Sequence, residues 1–255
     1  MKTEPEKSVL SSTPISPQKL CGHRGVAAQA PENTLASIAR VRELGLSWVE
    51  VDVQLTQDGI PVVFHDQTLS RCTNGEGALK DTSLSDLQTL DAGSHFSADF
   101  CQQQVPTLAA VLAQAHHDDL HLNLEIKTYA DTDIAALCDA VFDCLSASPL
   151  DERQVLISSF SLDALRYCRD QRPSLARAIL WEAIPDNWQD YRDLATYSIH
   201  CHYRALTQAQ AQAVKAAGLA LQCYTPNDPQ EAAPLWEWGV DMMITDAPER
   251  YLSAD

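Results

Sequence analysis

The first residues that could do chemistry are two carboxylates spaced two apart. In Val49-Glu50-Val51-Asp52-Val53 apolar residues alternate with acids, so on a β-strand Glu50 and Asp52 share one face. Burying two acids side by side is unfavourable unless a cation pairs with them. A hard divalent metal meets that need; a solvated edge strand of alternating polarity is the competing reading. Leu122-Asn123-Leu124-Glu125-Ile126-Lys127 places an acid and a base at the same spacing. Alone, Glu125 and Lys127 read equally well as a structural ion pair, but beside Glu50 and Asp52, Glu125 offers a third oxygen ligand. Three carboxylates without a soft ligand favour one divalent cation, Mg²⁺ or Ca²⁺, over zinc.

Two histidines end apolar runs. Cys21-Gly22-His23-Arg24-Gly25 closes on a His-Arg pair that is by itself equally compatible with a structural role. His65 follows Val62 to Phe64, a short run reached from Trp48 to Leu55 through Asp58-Gly59, a strong hairpin signal. With a two-residue Asp58-Gly59 turn, Gln57 faces Ile60 and His65 lies opposite Asp52. One strand pair would then carry two acids and a histidine at one level. His200 and His202 flank Cys201 near a strand end, where packing or substrate contact is the expected role, since no HxH partner is found on the first strand. His116, His117 and His121 are expected on the opposite rim.

The elements that would position these groups are nine strand-like runs: Leu20 to Gly22, Trp48 to Leu55, Val62 to Phe64, Leu120 to Ile126, Val155 to Ser158, Ala176 to Leu180, Ser198 to Cys201, Ala220 to Tyr224 and Met242 to Thr245. Helix-period stretches lie between most of them, including Asn33 to Leu44, Leu108 to Ala115, Ile134 to Leu145, Leu162 to Arg169 and Ala209 to Ala217. This alternation is that of βα units around a parallel sheet. The hairpin strand must be antiparallel, because a parallel crossover needs about a dozen residues. Eight parallel strands remain, the number that closes a TIM (β/α)8 barrel, with the hairpin as an extension. Residues 67 to about 106, rich in Gly, Asn, Asp and Ser, read as a small insertion after the second barrel strand, over the mouth. Barrel active sites lie at the C-terminal ends of the strands, where the charged residues above fall.

At 255 residues a single barrel domain is expected over 18–255, with residues 1–17 as a flexible tail. The 35 acidic residues against 18 basic give a net charge of -17, which disfavours nucleic acid or anionic membrane as a standing partner. The N-terminal residues mix acids, prolines and serines without the apolar core of a signal peptide, and no run approaches a membrane span, so a cytoplasmic location is expected. The eight cysteines include no CxxC pair and read as reduced thiols, six of them in apolar runs.

Set in order, His23-Arg24-Gly25, Pro31-Glu32-Asn33-Thr34, Glu50-Val51-Asp52, His65-Asp66, Glu125-Ile126-Lys127, Ser158-Ser159-Phe160, Tyr224-Thr225-Pro226-Asn227 and Ile244-Thr245-Asp246 resemble the glycerophosphodiester phosphodiesterase family across residues 19 to 251. Within it the sequence looks most similar to short cytosolic bacterial enzymes acting on many glycerophosphodiesters. The resemblance implies hydrolysis to glycerol 3-phosphate and an alcohol, with Glu50, Asp52 and Glu125 as metal ligands, His23 and His65 as the acid/base pair with His23 the base, and Arg24 and Lys127 on the phosphate. Tyr224 and Pro226 stand where the family commonly has Trp and, two residues on, Val. Tyr224 keeps the aromatic platform, and the difference bears on the alcohol pocket. Glu32 and Asn33 suit either capping of the next helix or orientation of the catalytic loop. The rival functions are a lipid-directed phospholipase C/D-like phosphodiesterase and a non-catalytic barrel that binds phosphorylated metabolites.

Overall fold

The structure, a computed structural model, describes residues 16–252. The expected flexible tail lies outside the described residues except for Ser16 and Pro17, and Pro17 opens a 3-10 turn, Pro17–Lys19, that leads into the first strand. Nine strands follow: β1 Leu20–His23, β2 Trp48–Leu55, β3 Pro61–Val63, β4 His121–Ile126, β5 Val155–Ser159, β6 Ala176–Trp181, β7 Ser198–His202, β8 Ala220–Tyr224 and β9 Met242–Thr245. Each lies within one residue of its expected bounds. The sheet order is β1-β9-β8-β7-β6-β5-β4-β2-β3, and β1 also pairs with β2. That last pairing closes eight parallel strands into a TIM barrel and leaves β3 as an antiparallel appendage on β2.

The helices are α1 Leu35–Glu43, α2 Leu84–Leu87, α3 Leu108–Asp118, α4 Ile134–Ala147, α5 Leu162–Gln171, α6 Gln208–Ala216, α7 Pro229–Glu237 and α8 Glu249–Leu252. Thr34, Thr107, Asp133, Ser161, Thr207 and Asp228 cap α1, α3, α4, α5, α6 and α7 by accepting a backbone N–H. The link between β6 and β7 winds as a 3-10 segment, Trp188–Leu194, in place of an α-helix. Periodicity does not single out helix α7: Pro229 sits in its first turn, where a missing N–H does no harm, but Pro234 inside it masks the pattern.

Strand parity divides the interior into two environments. Val49, Val51, Val53, Leu122, Leu124, Ile126, Ile157, Ile199 and Leu221 face the helices in one apolar cluster. Their neighbours Glu50, Asp52, Asn123, Glu125, Ser158, Ser198, His200 and Gln222 face the barrel axis, buried and polar. Parallel strands covered on both faces are usually apolar throughout. The axial half here departs from that rule.

The hairpin corrects one expected register. Thr56 N–H donates to Ile60 O (3.0 Å), Ile60 N–H to Thr56 Oγ1 (3.0 Å) and Gly59 N–H to Thr56 O (3.0 Å). Gly59 takes φ +75°. The turn therefore has three residues, Gln57 to Gly59, closed by a left-handed glycine. Val53 pairs with Val63, Gln54 with Val62 and Leu55 with Pro61. Asp52 faces Phe64, whose N–H donates to Asp52 O at 2.9 Å, and His65 lies one residue beyond.

The segment after the hairpin carries α2, two 3-10 turns and a core of its own: Val62, Phe64, Leu69, Cys72, Leu79, Leu87, Ala92 and Val105. Val62 and Phe64 belong to it, while Val63 between them belongs to the barrel core.

His200 is fully buried, with Nε2 2.9 Å from Ser198 Oγ. Burial pushes its imidazole down to about 3, whereas an unfolded histidine titrates near 6.5. As the pH falls below about 6.5, the unfolded chain takes up a proton that the folded chain refuses, so stability drains away down to about pH 3. Thermal unfolding between pH 6.5 and 4.5 should therefore show wild type losing about 2 kcal/mol more than His200→Gln. Parallel losses in the two proteins would contradict this.

Candidate active site

The loop after β1 makes a sharp bend. Arg24 and Gly25 have φ of 53° and 87°. A Cβ on Gly25 would lie 2.4 Å from Ser37 Oγ, and one on Gly22 would lie 2.5 Å from Gly25 O. Both glycines are therefore required for the close backbone approach. The bend turns the Arg24 N–H onto Glu50 Oε2 (3.0 Å) and swings the Arg24 side chain to Asp52, with Nε 3.4 Å from Oδ2. His23 Nδ1 lies 2.6 Å from Asp246 Oδ1, at the end of β9, and its Nε2 lies 3.9 Å from Glu50 Oε2.

Glu50, Asp52 and Glu125 are all buried, and each offers an oxygen within 4.8 Å of the others. Lys127 Nζ lies 3.0 Å from Glu125 Oε1 and 3.4 Å from Asp52 Oδ1. Asn33 Nδ2 donates to Asp52 Oδ2 at 2.9 Å. Burial works to raise Asp52, yet Lys127 and Arg24 prevail and hold it below the usual carboxylate range. Burial, then the charges of its two neighbours, push Glu50 well up; burial and Asp52 likewise push Glu125 up. Two of the three acids thus resist ionisation for want of positive charge, and Asn123, beside them on β4, has both amide atoms buried and unpartnered. An all-oxygen donor set short of positive charge fits a hard divalent cation.

His65 reaches the same cleft despite its shifted register, because β3 ends at Val63 and the chain bends. The Gln54 amide lies 2.7, 3.1 and 2.9 Å from the carbonyls of Phe64, His65 and Asp66, and Tyr129 Oη donates to His65 O at 2.6 Å. His65 Nδ1 lies 2.7 Å from Asp66 Oδ1. Burial, reinforced by Arg24 and Lys127, lowers the His65 pKa against the pull of Asp52.

His23, Arg24, Glu50, His65, Asn123, Glu125 and Lys127 line one cleft of about 260 Å³. Ser158, Phe160, His202, Tyr224 and Thr225 extend it. The Tyr224 ring stands edge-on to Phe160 and His202, with centroids 6.1 and 5.9 Å away, and its hydroxyl donates to Trp181 O.

A sequence profile of the glycerophosphoryl diester phosphodiesterase family matches residues 23–250. The chain belongs to that family. It is 34% identical to the glycerophosphodiester phosphodiesterase of Caldanaerobacter subterraneus subsp. tengcongensis, covering 91% of this chain and 95% of that one. A glycerophosphodiester phosphodiesterase of Bacillus subtilis is 30% identical over 93% of this chain and 87% of its own length. The solved structure of a phosphodiesterase from Oleispira antarctica, in complex with the product sn-glycerol-3-phosphate, superposes with a TM-score of 0.88 at 36% identity, covering 92% of this chain and 96% of that one.

All eight site residues expected for this family member, His23, Arg24, Glu50, Asp52, His65, Glu125, Lys127 and Tyr224, meet at one end of the barrel. Glu32 and Asn33 leave capping to Thr34: Glu32 Oε1 accepts from Arg24 Nη1 (2.7 Å) and Asn33 holds Asp52. His202 joins the cleft, whereas His200 is packed in the interior. His121 stacks on Trp48 at the N-terminal ends of β4 and β2, on the far rim. Asp66, Asp246 and Asn227 have no role assigned from sequence alone. The signal was there as an acid directly after His65 and another directly after β9. Asn227 Nδ2 donates to Asp246 Oδ2 at 2.7 Å, so the Asp246 carboxylate is oriented from two sides.

Gly25→Ala should destabilise the fold by about 2 kcal/mol or more, since it combines a left-handed φ with a clash against Ser37. Chemical denaturation checks this; an unchanged midpoint would show that the bend relaxes freely.

Proposed function

We propose that the protein hydrolyses glycerophosphodiesters to glycerol 3-phosphate and an alcohol, with His23 and His65 as the acid/base pair. One observation carries this reading: three buried acids share one cleft with two histidines, each backed by an aspartate at Nδ1, and with Arg24 and Lys127. Glu50, Asp52 and Glu125 would hold one divalent cation, Mg²⁺ or Ca²⁺, which supplies Lewis-acid polarisation of the phosphoryl group. With that ion the three carboxylates sum to a single negative charge, and Arg24 and Lys127 make the site positive. An acidic protein thereby receives an anion, and the same cations face the charge that grows on the non-bridging oxygens.

Asp246 and Asp66 fix the orientation of the two rings, and the Nε2 edge of each is left for the cleft. His23 takes the proton from the attacking hydroxyl, and His65 gives one to the departing alcohol. Before substrate binds, burial with Arg24 and Lys127 disfavours the protonated His65 ring. The negative charge of the bound phosphodiester offsets those two cations, so that His65 holds the proton it gives to the departing alcohol. Phe160, His202 and Tyr224 give the outer part of the cleft an aromatic surface for the alcohol.

Soluble substrates are favoured over lipid surfaces by the net charge of -17. Among the described residues, the exposed large apolar side chains are Leu35, Phe96, Phe160 and Tyr197, of which only Phe160 lines the cleft.

Three outcomes are expected. Glycerophosphocholine should be cleaved faster than phospholipid vesicles in a turnover assay; the reverse order would favour a lipid-directed enzyme. His23→Ala and His65→Ala should each reduce turnover at least about 100-fold while the circular dichroism spectrum is kept. Unchanged turnover would remove them from the mechanism. EDTA should silence the enzyme, and adding Mg²⁺ or Ca²⁺ back to stripped protein should raise its melting temperature, a shift absent in Asp52→Asn. Full activity after exhaustive chelation would dismiss the cation.

A further inference from the structure

Arg71 lies in the insertion, between Leu69 and Cys72 of the second core, yet its side chain reaches back to the barrel mouth and is half exposed. Its guanidinium is divided between two carboxylates. Nε and Nη2 donate to Asp66 Oδ2 and Oδ1 at 2.6 and 2.8 Å. Nη1 and Nη2 donate to Glu32 Oε2 and Oε1 at 2.6 and 2.7 Å. Both acceptors are committed elsewhere at the same time: Asp66 Oδ1 lies 2.7 Å from His65 Nδ1, and Glu32 Oε1 accepts from Arg24 Nη1 at 2.7 Å. An unbroken chain of polar contacts therefore runs His65, Asp66, Arg71, Glu32, Arg24, Asp52.

We propose that Arg71 is a positioning residue that fixes both halves of the site at once, holding His65 through Asp66 and Arg24 through Glu32. The loop after β1 and the loop after β3 are otherwise separate pieces of chain. Two carboxylates facing each other across that gap would repel without a cation between them, and a planar guanidinium with two bidentate edges satisfies both, which a lysine ammonium does not. Arg71 touches neither the reacting atoms nor the three acids, so its effect on the reaction must pass through Asp66 and Glu32. The inference rests on the proposed roles of His65 and Arg24. It also gives the insertion a duty: its separate core carries the segment from which Arg71 reaches.

The test is steady-state kinetics on a soluble glycerophosphodiester with Arg71→Ala, Arg71→Lys, Asp66→Asn and the double variant Asp66→Asn/Arg71→Ala. Arg71→Ala should lower kcat about 10- to 100-fold, the range typical of residues that orient a catalytic group, with the circular dichroism spectrum kept. Free guanidinium at sub-denaturing concentration should restore at least a tenfold share of the loss, and methylammonium should not. Arg71→Lys should stay close to Arg71→Ala. The double variant should be hardly slower than the worse single one, because both changes cut the same chain. Unchanged kcat in Arg71→Ala overturns the proposal. So does a loss that guanidinium leaves unrelieved and that multiplies in full with Asp66→Asn, the mark of a merely structural role. Should Arg71→Ala fail to fold, Arg71→Lys and Asp66→Asn decide the matter alone, since equal kcat to wild type in both overturns it as well. Absence of hydrolysis by wild-type protein counts against the function itself, whereas hydrolysis by wild type with kcat unchanged in Arg71→Ala counts against Arg71 alone.

Discussion

Three carboxylates crowded into the mouth of a barrel are the constraint around which this molecule is arranged. Glu50, Asp52 and Glu125 are removed from water and set within 4.8 Å of one another, a combination opposed by both desolvation and mutual repulsion. Almost every polar group nearby answers to that problem. The Arg24 backbone N–H faces Glu50, the Arg24 and Lys127 side chains face Asp52, and Asn33 donates to Asp52. Even so, only Asp52 is held firmly ionised, while Glu50 and Glu125 are pushed towards protonation. A protein could avoid this strain by placing leucines there. Keeping the acids is intelligible if another positive charge belongs among them.

Closure of the barrel matters to the chemistry as much as to the fold. His23 leaves β1, and its aspartate partner follows β9, 223 residues later in the chain. They meet because β1 pairs with β9 on one side and β2 on the other. The same closure sets Glu50 beside His23 and Glu125 beside Asp52 by parallel register. The two histidines obey one rule by different routes. His23 borrows its carboxylate from the far end of the chain, and His65 takes it from the next residue.

Much of this was legible in sequence because period-two spacing has a geometric meaning. Glu50 with Asp52, and Glu125 with Lys127, could be placed on one face of a strand without coordinates, and the hairpin's few residues dictated an antiparallel partner. What stayed hidden depended on turn detail or distant pairing. Whether Asp58-Gly59 closes a two- or three-residue loop turns on the Thr56 hydroxyl and on Gly59, and the difference of one residue moves His65 off Asp52. Gln54 then restores the histidine to the cleft by gathering the carbonyls that follow β3, a contact with no sequence signature. Glu32 resembles a helix-capping acid by position, and only the approach of Arg24 and of Arg71, 39 residues away, shows that it is spoken for.

The second apolar core has a consequence for how such a barrel can change over generations. Val62, Phe64, Leu69, Leu79, Leu87 and Val105 pack on one another in a cluster distinct from the one between strands and helices. Loops of this kind tolerate altered length and composition better than the scaffold beneath them. Length and composition can therefore change there while the strands that set the acids in register stay as they are.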